Sequence, residues 1–331
     1  MGRSGFGTPK WVRFELATKL FFTSDVHGSE PVFRKFVNSA KAYKVNLLIL
    51  GGDITGKGLV LVSKDSAGSY KINYMGREIV AKDDAEFATI RTRISRNGFY
   101  VYVNTPDVID ELRASKEEIE KVLMTCMKDT LTSWLKLAEE RLKDTGVKCY
   151  ISPGNDDEYE IDSILNSSNY VINPEEKVIT LEGGYEMITT GKANMTPWKC
   201  PRDVTEEELE KTIASLTSQV KDFNKAIFNL HVPPHNTLLD VAPELDSELT
   251  TVVRAGQPSM VHVGSTTVRK AIEQHQPMLG LHGHIHESKG VDKVGRCVCL
   301  NPGSEYQEGV LRGALVTLDS GKLKSYQLTS G

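Results

Sequence analysis

Lys19-Leu20-Phe21-Phe22-Thr23-Ser24-Asp25-Val26-His27-Gly28-Ser29 reads as an apolar strand that ends abruptly in an acid and an imidazole. Ser29 and Pro31 then suit the start of a helix carrying Val32, Phe33, Phe36, Val37 and Ala40 on one face. A second apolar run, Leu47-Leu48-Ile49-Leu50, delivers Gly51-Gly52-Asp53. Strand, helix and strand, each strand closing on a polar chemical group, predict an α/β sheet with a site at its carboxyl edge.

The same grammar recurs downstream. Lys148-Cys149-Tyr150-Ile151-Ser152 ends in Pro153-Gly154-Asn155-Asp156-Asp157, and Ala226-Ile227-Phe228-Asn229-Leu230 ends in His231-Val232-Pro233-Pro234-His235. Pro277-Met278-Leu279-Gly280-Leu281 runs into His282-Gly283-His284-Ile285-His286. In extended backbone, His284 and His286 would share a side with Ile285 opposed. By itself that run is equally a polar loop. Together the strand ends offer two carboxylates (Asp25, Asp53), four imidazoles (His27, His231, His284, His286) and the amide of Asn155. That mixture suits two neighbouring divalent ions of the manganese, iron or zinc type, and such a pair suits displacement at phosphorus.

Between these motifs, residues 56–98 are polar with hairpin-like pieces at 59–62, 69–74 and 77–80, followed by Phe99-Tyr100-Val101-Tyr102-Val103. We read the chain as one unit, 1–331, with a β-rich insertion at about 56–115 that serves as a flap over the site or as a docking element. A long helix is expected after Ser115 and Glu118, with a stripe from Ile119 to Leu142 and a stop at Gly146; another opens at Thr205 and Glu208. A further helix is expected over 265–274, and the chain closes in a hairpin around Asp319-Ser320-Gly321.

Composition narrows the class. The 331 residues are 39% hydrophobic and 25% charged, with a net charge of −4. The charge does not suggest a nucleic-acid-sized basic surface, and no apolar run approaches the length of a membrane span. The short Gly-rich N-terminal segment lacks a secretory apolar region. Cys126, Cys149, Cys200, Cys297 and Cys299 are odd in number and scattered, as in reduced thiols of a cytoplasmic protein. Cys297 and Cys299 alternate in an apolar run and are read as strand residues.

The five motifs, Asp25-Val26-His27, Gly52-Asp53, Gly154-Asn155-Asp156-Asp157, His231 and Gly283-His284-Ile285-His286, occur in the order that marks the calcineurin-like metallophosphoesterases, which this chain resembles from about residue 19 to 318 outside the insertion. The resemblance implies a four-layer α/β/β/α sandwich with a two-metal site at the top of its sheets. It implies that Asp25, His27 and His286 hold one ion, that Asn155, His231 and His284 hold the other, and that Asp53 bridges both. Asp53, Asn155 and His231 would thereby serve catalysis. The ions are expected to be divalent, manganese foremost, with iron, zinc or nickel as alternatives. The implied activity is a phosphodiesterase in which a metal-bridging hydroxide attacks phosphorus in line on a small phosphorylated substrate. A non-catalytic interaction module on the same fold, a phosphomonoesterase and a nuclease are the alternatives.

One departure bears on mechanism. Many relatives carry His after the Asn; here the residue is Asp156, so the source of the leaving-group proton is open. Asp157 would brace Asn155 or cap the next helix. Asp156, His235 and His282 are candidate substrate contacts, and Lys57 and Lys192 candidate phosphate contacts. His262 precedes a helix N-terminus, and His275 would cap a helix C-terminus.

Overall fold

The structure, a computed structural model, describes residues 17–331. The Gly-rich N-terminal segment lies outside the described residues. The apolar runs of the motifs are short because each is buried on both faces, which removes the need for alternation. In Thr18–Thr23, Leu20 and Phe22 point to one side and Phe21 to the other, and all three are fully buried.

This strand lies at the centre of a five-stranded sheet. It runs parallel to Leu47–Gly51, which in turn runs parallel to Lys148–Ser152. On its other side the closing hairpin, Arg312–Asp319 and Lys322–Ser330, pairs antiparallel. A second sheet of six strands has a parallel centre of Glu186–Thr190, Ala226–Leu230, Leu279–Leu281 and Cys297–Asn301.

The two sheets face each other across one core, in which Leu20, Phe22 and Ile49 of the first meet Met187, Ile227 and Leu281 of the second. Helices cover both outer faces. Glu30–Tyr43 and Lys116–Leu142 pack on the first sheet, and Glu206–Thr217 and Thr266–His275 on the second. The architecture is the expected α/β/β/α sandwich. Both parallel centres send their carboxyl ends to the same edge.

Residues 56–98 are ordered. Gly58–Lys64, Tyr70–Tyr74, Arg77–Ala81 and Phe99–Asn104 form a third sheet with its own apolar cluster of Val60, Val62, Ile72 and Phe87. The hairpin pieces fall as read, but Asp84–Arg96 is a helix where no helix was expected. Asp83 caps it by accepting from the Ala85 and Glu86 amides. Only Phe87 and Ile94 of this helix are buried, so its apolar stripe is too thin to stand out in a polar stretch. Pro106–Arg113, before the long helix, is a further unexpected helix.

Some local details differ from the sequence reading. Ser29 sits at the N-cap, yet its hydroxyl donates to the carbonyls of Arg96 and Tyr306, tying the third sheet's helix to the C-terminal loop. The long helix ends at Leu142, four residues before Gly146. His275 ends its helix but stacks on Phe223, with ring centroids 4.5 Å apart, while the Gln276 amide closes the last turn on Ile272. Cys297 and Cys299 are buried strand residues, with sulfurs 3.7 Å apart.

Candidate metal centre

Each motif leaves its strand and turns sharply. Asp25, His27, Asp53 and His284 all occupy the left-handed region, with φ of 57°, 39°, 49° and 68°. Such backbone costs on the order of 1 kcal/mol or more per non-glycine residue and persists only where the surroundings enforce it. Here the first two loops brace each other: the amides of Asp25, His27 and Gly28 donate to the carbonyls of Gly52, Asp53 and Ile54 at 2.8–3.0 Å. Asp157 adds a second clamp. Its buried carboxylate accepts from the Ile54, Thr55 and Gly154 amides at 2.8–2.9 Å, so it ties the Asp53 loop to the turn that carries Asn155.

Two glycines are fixed by space. A Cβ on Gly52 would lie 2.3 Å from His231 Nδ1, and one on Gly154 would lie 2.2 Å from Asp53 Oδ1. These contacts let the second sheet's histidine and the third strand's loop close over Asp53.

The side chains then converge as two groups. Asp25, His27, Asp53 and His286 bring one donor atom each within 4.8 Å of one another, and so do Asp53, His231 and His284. Asp53 is common to both: its Oδ2 is 3.5 Å from His27 Nε2 and 3.4 Å from His231 Nε2. His27 and His286 approach through Nε2 atoms at 3.0 Å, and Asn155 Oδ1 lies 2.9 Å from His284 Nδ1.

The shared-face reading of His284 and His286 is corrected. The strand ends at Leu281, and the positive φ of His284 turns the chain, so the two rings enter different groups.

The donor chemistry fits cations. His231 is fully buried, and its Nδ1–H donates to the Gly51 carbonyl at 3.0 Å. That bond leaves Nε2 facing the carboxylates with no hydrogen-bond partner of its own. An orphaned buried nitrogen beside Asp25 and Asp53 is what a metal ligand requires.

The titration of the groups reports how strongly the two carboxylates draw positive charge toward Nε2. Burial pulls the His231 imidazole down, but Asp53 and Asp25 outweigh it and push it up to about 10. Burial raises Asp53, yet the surrounding imidazoles hold it far below the usual carboxylate range. His27 and His284 are pulled down to about 4 by burial, which keeps both neutral and able to donate lone pairs.

Three residues not singled out in the sequence complete the site. Asp203 accepts from Asn155 Nδ2 at 2.8 Å and so aims the Asn155 oxygen at the centre. The Tyr306 ring lies against His27, centroid to centroid 4.8 Å. Trp198 borders the adjoining cleft. None follows a strand in a motif-like way, and no spacing rule would have found them.

The remaining candidates divide by position. Asp156 and Lys57 border the cleft beside the donors, with 3.6 Å between Nζ and Oδ1. Burial, then the Asp53 charge, raise the Asp156 carboxyl to about 7. His282 is not a cleft residue: its ring is fully buried, with Nδ1 donating to the Leu230 carbonyl at 2.7 Å. His235 does not border the cleft either, because its ring turns to Asp240, 3.5 Å away, as does that of His262 at 2.8 Å. Lys192 is engaged with Glu176 and Thr212 away from the cleft. Of residues 56–115, Lys57 borders the cleft, whereas the rest of its lining comes from other parts of the chain.

The α/β/β/α sandwich is the architecture that the resemblance to the calcineurin-like metallophosphoesterases implied. No family model matches the chain. The uncharacterized protein MJ1162 of Methanocaldococcus jannaschii is 33% identical over 152 residues, which cover 45% of this chain and 61% of that protein. The match thus spans less than two thirds of the relative. One solved structure superposes with a TM-score of 0.52 at 15% identity, covering 95% of this chain and 99% of its own. That of TT1561 from Thermus thermophilus gives 0.50 at 14% identity, with 96% and 99% covered. At these identities the likeness is one of fold. No helix among the described residues is long and apolar enough to cross a membrane.

Proposed function

We propose that the protein is a metal-dependent phosphoric ester hydrolase that acts on small phosphodiesters in preference to monoesters. The observation that carries this reading is the pair of donor groups sharing Asp53. Asp25, His27 and His286 would hold one divalent ion, Asn155, His231 and His284 the other, and Asp53 both. Bound there, two such ions, manganese foremost, would activate water and neutralise charge at phosphorus.

The chain's own groups do the rest. The Gly51 carbonyl fixes the His231 tautomer, and Asp203 fixes the Asn155 amide. Lys57 stands beside Asp156 as the cation that borders the cleft, while Asp156, Glu244 and Glu287 border it as acids. That balance supports a monoanionic diester over a dianionic monoester. With an aspartate where many relatives carry histidine, esters of acidic leaving groups should react fastest. The five free thiols accord with a cytoplasmic setting.

Hydrolysis of bis-p-nitrophenyl phosphate beside p-nitrophenyl phosphate, with Mn²⁺ and with a chelated control, tests the reading. Metal-dependent cleavage of the diester, faster than of the monoester, is expected. No turnover of either in protein carrying two ions would sink it. Asp53→Asn should lose both ions, as elemental analysis would register.

A further inference from the structure

The cleft beside the donors has a volume of about 810 Å³, enough for a small organic molecule. Away from the donors its lining is largely apolar. Met195, Pro197 and Trp198 come from one turn, and Pro243, Leu245 and Val261 from the segment that includes the small hairpin of Val241–Pro243 and Met260–His262. Trp198 is 63% exposed and Met195 53%. An indole left this open in a concave, apolar surface is characteristic of a surface that is covered in function.

The turn bearing Trp198 is held in fixed register with the donors. Asp203 Oδ2 accepts from the Thr196 amide at 3.0 Å, the Thr196 hydroxyl at 2.5 Å and the Cys200 amide at 2.9 Å. The Lys199 amide closes the turn on the Thr196 carbonyl, and Asn194 Nδ2 anchors its start to the Val263 carbonyl. The other oxygen of Asp203 takes the Asn155 amide. One carboxylate therefore sets both the Asn155 donor and the indole, and the spacing between them is built in.

Charge selects among occupants. Lys57 is the single cation bordering the cleft among the described residues, against Asp156, Glu244 and Glu287 in addition to Asp53. Away from the donors the charged side chains are the acids Glu244 and Glu287, so an uncharged flat substituent suits that half while the phosphoryl group meets the donor half.

We infer that the Trp198 wall is a subsite for an aromatic substituent of the phosphoester, an aryl or nucleobase ring stacked on the indole. The phosphoryl end of this inference rests on the hydrolase reading; the aromatic end rests on the Trp198 turn.

Binding tests it without turnover. Phenylphosphonate and methylphosphonate are titrated calorimetrically into Mn²⁺-loaded wild type, Trp198→Ala and Trp198→Phe, each checked for metal content and thermal unfolding. The wild type should bind the phenyl compound about tenfold more tightly than the methyl one, from stacking and apolar burial. The ratio should fall to near unity in Trp198→Ala and recover in Trp198→Phe. An equal ratio in wild type and Trp198→Ala, or no preference in wild type, overturns the subsite. Absence of preference together with a wild-type dimer that Trp198→Ala dissociates would overturn it in favour of a second copy of the chain on this wall. A preserved phenyl preference with no ester hydrolysis would support the subsite and fell the hydrolase reading alone.

Discussion

Asp203→Asn exchanges one oxygen for an NH₂ and leaves volume and shape intact, and the two oxygens it distinguishes have unequal duties. Oδ2 accepts from two backbone amides and a hydroxyl of the Trp198 turn, whereas Oδ1 accepts only from Asn155 Nδ2. An asparagine must place its NH₂ on one side. Facing it toward the turn would strand two backbone donors, at about 1–3 kcal/mol each when buried; facing it toward Asn155 strands one. The oxygen therefore stays with the turn, and the introduced NH₂ opposes the Asn155 amide donor to donor. Asn155 is then forced to rotate, presenting its NH₂ instead of its oxygen toward His284. Loss of an orienting partner of this kind costs about 10–100-fold in metal affinity. Stepwise Mn²⁺ titration by calorimetry should show that loss for one ion, with the ion at Asp25, His27 and His286 unchanged. Two ions bound with wild-type constants would refute the role assigned to Asp203, and loss of both would refute its restriction to one side of the centre.

Gly154→Ala inserts a Cβ 2.2 Å from Asp53 Oδ1 and 2.3 Å from the Asp53 amide nitrogen, so Asp53 must move. It should lose both ions and about 1–3 kcal/mol of stability by overpacking; retention of two ions by elemental analysis would contradict this. Loading with Mn²⁺ should raise the melting temperature, since ligand at roughly a hundred times Kd adds about 2.7 kcal/mol, and an unchanged melting curve would count against a folded-state site. Glu175 is a half-buried carboxyl that desolvation raises to about 7, despite bonds from the Gly191 amide. Its folded value exceeds its unfolded one, so the folded chain binds the extra proton and stability falls as pH rises from about 4.5 through 7. Glu175→Gln should flatten that fall and stabilise the protein at pH 8 by on the order of 3 kcal/mol, with little effect at pH 4; equal gains at both pH values in denaturant titrations would rule it out.

What was legible in the sequence was whatever is encoded locally. A strand buried on both faces must be a short continuous apolar run, and a motif at its end must fall at the sheet edge. Leu20 to His27, Leu47 to Asp53 and Lys148 to Asn155 therefore disclosed the first sheet and its chemistry, and the order of the motifs disclosed the sandwich. The donor residues were legible for the same reason, because each follows its strand within a few positions.

Tertiary structure decided what depends on direction and distance. A left-handed turn at His284 sends His284 and His286 to different groups, and residue spacing does not report φ. The burial of His282 depends on where the Leu230 carbonyl lies, a contact 52 positions away in the chain. Asp203 reaches Asn155 across 48 positions, and Trp198 borders the cleft because that same carboxylate pins its turn. The helix Asp84–Arg96 escaped notice because its thin apolar stripe gains meaning only against a sheet formed by other strands. Local sequence set the strands and placed the donors at their ends; long-range hydrogen bonds and packing, which no local pattern encodes, aimed those donors and shaped the wall beside them.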